Sequence, residues 1–167
     1  MRNKIFFTAL ALLLISLAAS SQTARSVVSR HKGIYNGQPI NYKAVVKEFY
    51  FSPDSGGAVA ASAITTSYIK ENAGAERPVV FVFNGGPGAS SSPLHMNALG
   101  PWRIKQGKDS ATLIENPYSL LDLADLVFID PPGTGFTKVL DKKAAGKYWD
   151  VKGDAELFIE LIKNWKV

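Results

Sequence analysis

Two short apolar runs, each ending in a glycine-rich turn, constrain this chain more than any other feature. The first is residues 79–83 (VVFVF), preceded by Pro78 and followed by Asn84-Gly85-Gly86-Pro87-Gly88-Ala89-Ser90-Ser91. The second is residues 125–130 (DLVFID), followed by Pro131-Pro132-Gly133-Thr134-Gly135-Phe136. β-Branched and aromatic content without polar alternation predicts strands buried on both faces. The interval between them allows a crossover connection, which favours parallel pairing. An α/β sheet follows, with both turns at the carboxyl ends of their strands, the edge where such sheets bind ligands.

Gly85, Gly86 and Gly88 bare their backbone amides, Pro87 fixes one φ angle, and Ser90 or Ser91 is placed to cap a following helix. Converging N–H groups suit a phosphate, a carboxylate or the oxyanion of a tetrahedral intermediate. The residues of the turn alone leave those three open.

At the amino terminus, Arg2 and Lys4 precede an apolar stretch over residues 5–18, and small Ala19, Ser20 and Ser21 follow. This pattern predicts an export signal over residues 1–21 and a periplasmic or secreted product with no stable membrane association. The net charge of +5 includes Arg2 and Lys4, and the remaining lysines are scattered, so no nucleic-acid partner is expected. The chain has no cysteine, which excludes disulfides and thiol nucleophiles. With only His31 and His95 as histidines, neither a metal nor a cofactor is expected.

Between these landmarks, residues 22–41 read as a tail with a turn at Asn36-Gly37. Residues 42–51 and 58–69 read as antiparallel strands around a turn at 52–57, so that the domain proper runs over 42–167. Residues 93–99 predict a short helix ended by Gly100-Pro101, 106–110 a polar loop, and 138–147 a loose charged segment. Asp150 caps a last helix whose Leu157, Phe158, Leu161, Ile162 and Trp165 share a face. Trp102, Arg103, Tyr118 and Phe136 are cleft candidates for which core packing is the expected role. No Gly-Lys-Ser/Thr loop accompanies Asp130, so it is expected to order its own turn rather than hold a nucleotide's metal.

Together, FNGGPGASS and ENPYSLLDLADLVFIDPPGTGF resemble the serine carboxypeptidase family of the α/β-hydrolase fold. The match rests on three ordered motifs: Asn84 to Ser91, Asn116 to Ser119, and Ile129 to Phe136. The resemblance implies that the Gly86 amide donates to the oxyanion, while the Asn84 side chain and the Gly85 amide grip a substrate's terminal carboxylate. A peptide, or a C-terminal carboxylate, is the implied partner, cleaved through an acyl-enzyme. Four positions depart from the family pattern: Ala98 where a carboxylate-recognising Glu is common, Ala89 in place of Cys, and Pro132 and Thr137 in place of Val and Ser.

The family's nucleophile sits on a Gly-x-Ser-x-Gly elbow after the helix that begins here near residue 151, with the catalytic Asp and His later still. None of these is in the sequence, so the expectation is an incomplete α/β-hydrolase sheet with an N-terminal antiparallel hairpin, inactive alone. Ser90, Ser91, His95 and Asp130 are not expected to improvise a triad, because Ser90 and His95 are not i, i+4 neighbours. His95 is expected to pack or cap, and His31 to lie in the tail. Two alternatives accompany the enzyme: a non-catalytic peptide- or anion-binding module, and a product without function whose apolar strand edge at 79–83 invites aggregation.

Overall fold

In the computed structural model, which describes residues 24–52, 58–74, 76–85, 88–143, 145–148 and 150–166, the chain turns first at Asn36-Gly37. Both residues take positive φ, 49° and 77°, the conformation a two-residue hairpin loop demands. That turn joins β1 (Ser26–Tyr35) to β2 (Gln38–Phe51) in register from Tyr35↔Gln38 to Ser26↔Lys47. Residues 26–35 are therefore a strand, where the sequence reads as tail. Their mostly exposed side chains explain the misreading, because an edge strand with little to bury carries no apolar alternation. The predicted export signal lies outside the described residues.

β2 continues into β3 (Ala61–Lys70), antiparallel as expected. β3 then pairs antiparallel with β7 (Asp125–Ile129), and β7 pairs parallel with β4 (Val79–Val82). The strand order is β1-β2-β3-β7-β4, with two-residue β8 (Lys138–Val139) beside β3. All five residues of β7 are buried, as an unalternating run in a central strand requires. β4 is the sheet's outer strand, an apolar edge as the sequence suggests, but it is less buried than its apolar run predicts, with Val79 and the following Phe83 exposed.

One face of the sheet is aromatic. Tyr35, Tyr42, Tyr68 and Phe128 pack edge to face in succession, Ile40, Val82 and Leu126 join them, and Leu121 from a single 3-10 turn (Leu120–Asp122) closes the cluster. The other face is covered by α3 (Val151–Asn164), whose Leu157, Phe158 and Leu161 cover Phe51, Ala61, Ala63, Val127 and Ile129. Asp150 caps α3 as predicted, accepting from the Gly153 amide at 2.6 Å. Trp165 completes the face, its indole donating to Ser67 Oγ at 3.2 Å. The short α2 (Ala145–Tyr148) precedes α3.

Between β4 and β7 lie α1 (Ser92–Leu94), which runs directly into a π turn (His95–Leu99), and a separate hairpin of β5 (Trp102–Gln106) and β6 (Ala111–Glu115). The sequence predicted the helix but not this hairpin, which is exposed along most of its length. The chain is thus α/β, with one parallel pair in a largely antiparallel sheet.

Candidate active site at two joined glycine turns

The first turn is held from within. The Asn84 amide donates to Ser91 Oγ at 3.1 Å, its side-chain Nδ2 donates to the Ser90 carbonyl at 3.2 Å, and its Oδ1 accepts from the Gly85 amide at 3.0 Å. Gly88 takes φ of 96°, which only glycine adopts without strain. Ser91 stands at the N-cap of α1, yet its side chain caps nothing. Instead its buried hydroxyl donates to the Ile129 carbonyl at the end of β7. The serine is a tie between two strand ends rather than a cap. Gly86, the implied oxyanion donor, and Pro87 lie outside the described residues.

The second turn is built around Asp130. Its Oδ2 accepts from the Phe136 amide at 3.1 Å, ordering its own turn as the sequence suggests. Its Oδ1 reaches across to the first turn and accepts from the Ser91 amide at 2.8 Å. A Cβ on Gly135 would overlap the Asp130 carboxylate, and its φ of 50° also disfavours any other residue. Thr134 Oγ1 donates to the Pro131 carbonyl at 2.8 Å and completes the loop.

The two turns open onto one cleft of about 840 Å³, walled by Asn84, Gly85 and Gly88 on one side, residues 131–133 on another and α3 on the third. The α3 wall is apolar through Phe158, Ile159 and Ile162, and Phe83 stacks on Phe158 at 4.3 Å between ring centres. Asp154 is the exception: burial pushes its carboxyl above the usual carboxylate range, and its Oδ1 makes no hydrogen bond. A polar turn facing an apolar wall suits an extended ligand with a polar end, although the Asn84 amides and the Gly85 N–H are here bonded within the turn.

The described serines, histidines and aspartates near the turns do not form a triad. Ser90 Oγ donates to Ser92 Oγ at 3.1 Å, and Asp130 is occupied by the two backbone amides. His95 packs, as expected: its ring stacks on Phe128 at 4.4 Å and its Nε2 pairs with Tyr68 Oη at 2.7 Å. Burial holds its pKa below the ordinary value, with the charge of Asp130 opposing. His31 is in β1 rather than in a tail, stacked on Tyr42 with Nε2 2.7 Å from Ser29 Oγ, on the antiparallel hairpin. No three acidic or histidine side chains gather as a metal site among the described residues.

The cleft candidates divide. Trp102 packs and donates to Tyr42 Oη at 3.1 Å, and Arg103 Nε is buried. Tyr118 and Phe136, expected in the core, are instead exposed at 72% and 73%. Asn116 is a scaffold residue, its Nδ2 donating to the carbonyls of Ala98 and Gly100 at 2.8 and 2.9 Å. Ser119 Oγ donates to the Leu99 carbonyl at 2.8 Å, so the second motif fastens the end of the π turn. Sequence reasoning passed over Arg77, which forks onto Asp125 at 2.8 Å and onto the carbonyls of Asp122 and Leu121. A lone arginine in a polar loop gives no signal of that.

A family model described as serine carboxypeptidase matches residues 67–167, a span that contains both turns. A pheromone-processing carboxypeptidase of Sclerotinia sclerotiorum is 34% identical over 91 residues, 54% of this chain and 14% of that protein. Serine carboxypeptidase-like 36 of Arabidopsis thaliana is 40% identical over 89 residues, 53% of this chain and 18% of that protein. The pheromone-processing carboxypeptidase of Tuber melanosporum is 44% identical over 71 residues, 42% of this chain and 11% of that protein. The chain thus spans less than a fifth of the length of these relatives.

Proposed function

Because the chain belongs to the serine carboxypeptidase family, we propose that its joined glycine turns are the anion-binding side of a serine-type carboxypeptidase site, acting on peptide C-termini through an acyl-enzyme. In this reading the sheet is the amino-terminal part of an α/β-hydrolase sheet. The Gly86 amide donates to the oxyanion, and Asn84 with the Gly85 amide receives the terminal carboxylate. The observation that carries the reading is that Asn84, Gly85 and Gly88 face the same cleft as residues 131–133, at the carboxyl ends of the parallel pair β4 and β7. Stabilising an oxyanion this way contributes about 3–4 kcal/mol per donor.

The nucleophile, acid and base are not among the residues placed here in catalytic roles. The cleft's immediate task is therefore recognition: orienting a peptide end so that its carbonyl lies against the amides. Export is part of the proposal, supported by the basic-then-apolar residues 2–18. No described helix is long and apolar enough to cross a membrane.

Titration with a short peptide, as the free acid and as the C-terminal amide, tests the proposal. The free acid is expected to bind about tenfold more tightly, one charge-assisted contact's worth. Equal affinity for both forms overturns the carboxylate grip. A second reading, a non-catalytic anion-binding module, draws on the mutual bond of Asn84 and Gly85, which makes a self-braced turn. Labelling by a serine-directed phosphonate tests the expectation that this chain is inactive alone: stoichiometric labelling would overturn it.

A further inference from the structure

We propose that Asp130 is a positioning residue for the anion-binding turn, acting as a clasp that transmits the geometry of β7 to Asn84. The inference rests on the functional reading above and deepens it. Two routes run from the end of β7 to the first turn. The carboxylate route is Asp130 Oδ1 to the Ser91 amide, 2.8 Å. The hydroxyl route is the Ile129 carbonyl to Ser91 Oγ, which also accepts the Asn84 amide at 3.1 Å. The last residue of β7 and the one that follows it therefore hold the hydroxyl and the amide of one serine, and that serine holds Asn84, which lines the cleft.

The far end of the clasp is equally determined. Asp130 Oδ2 takes the Phe136 amide at 3.1 Å, and Gly135 leaves the space the carboxylate needs. Each oxygen thus has a backbone N–H aimed at it from a different turn. Asparagine has one acceptor where the site presents two donors, so it satisfies one turn at the expense of the other. A carboxylate is required for a geometric reason, quite apart from its charge.

The test uses the full chain with Asp130→Asn and, separately, Ser91→Ala, which removes only the hydroxyl route. Backbone amide exchange by NMR is read at Ser91 and Phe136, and the affinity ratio of a free-acid peptide to its amide is read by titration. In the parent chain both amides are expected to be protected. In Asp130→Asn at least one should exchange about tenfold faster, and the ratio should fall about tenfold. Ser91→Ala should lower the ratio too while sparing Phe136. Arg77→Lys serves as control: it loosens the opposite ends of β4 and β7 and should leave the ratio unchanged, whereas a merely destabilising role of Asp130 predicts a fall in both variants.

Unchanged exchange at both amides in Asp130→Asn overturns the clasp. A ratio that falls equally in Arg77→Lys overturns the positioning role. If the parent chain itself shows no preference for the free acid, the functional reading fails, while the exchange measurement still judges the clasp.

Discussion

Replacing Arg77 by alanine is expected to destabilise the chain by about 3–5 kcal/mol, the cost of breaking a buried ion pair from one side. The guanidinium has three partners: the Asp125 carboxylate at 2.8 Å, the Asp122 carbonyl at 3.0 Å and the Leu121 carbonyl. Both charged side chains are only 12% exposed, so water replaces little of what is lost. Asp125 would keep a single donor, the Lys70 amide at 3.0 Å. Against a domain stability of about 5–15 kcal/mol, the loss is roughly a fifth or more of the total.

Arg77→Lys keeps the charge but gives up the planar fork, and about 2 kcal/mol is the expected cost. Arg77→Met combined with Asp125→Asn should recover at least about 2 kcal/mol relative to Arg77→Met alone, because the stranded carboxylate is then removed. Urea unfolding followed by tryptophan fluorescence measures all of these, since Trp165 sits between α3 and the sheet. A loss below about 1 kcal/mol for Arg77→Ala, or a double variant no better than Arg77→Met, would refute the reasoning. The pair fixes where β4 and β7 begin, at the ends away from the glycine turns: Asp125 is paired with Val79 in the ladder and its backbone amide donates to the Pro78 carbonyl.

Gly153→Ala is expected to destabilise, although alanine is the better helix former by about 1 kcal/mol. The added Cβ would overlap the Lys147 carbonyl, where α2 meets the start of α3, and thermal unfolding should show a lowered midpoint. The buried His95 predicts a pH dependence. Its folded-state pKa lies below the ordinary 6.5, so the unfolded chain binds more protons as pH falls. The stability difference is fully present above about 6.5 and is lost on acidification toward the folded pKa. The midpoint against pH should flatten in this range in His95→Gln, and an unchanged slope would count against burial as the cause.

The elements legible in the sequence were those whose side chains meet one dominant environment. β7 reads as a continuous apolar run because both its faces are covered, and α3 reads at helical spacing because one stripe is buried. β1 and the β5–β6 hairpin bury little, so their sequences carry no such imprint. The π turn was illegible as such. It closes because Gly100, which has no room for a Cβ against the His95 carbonyl, donates its amide there. That Asn84 and Gly85 line the cleft could be anticipated from the turn at the end of a buried strand, whereas the tie made by Ser91 could not. Its partner Asp130 lies 39 residues away, and nothing local in either turn announces the bond.

The β5–β6 hairpin has a base that closes on itself. The Asn116 amide donates to the Pro101 carbonyl at 2.9 Å, and the Asn116 side chain clamps the two carbonyls just before it. Upstream, Asp130 fastens the entrance to this crossover at Ser91; downstream, Arg77 fastens its exit at Asp125. The hairpin's outer part, residues 104–113, is exposed, while Trp102 at its base is anchored on Tyr42. Such a hairpin tip is where a change of length is expected to cost the sheet least, because both ends of the crossover are fastened independently of it.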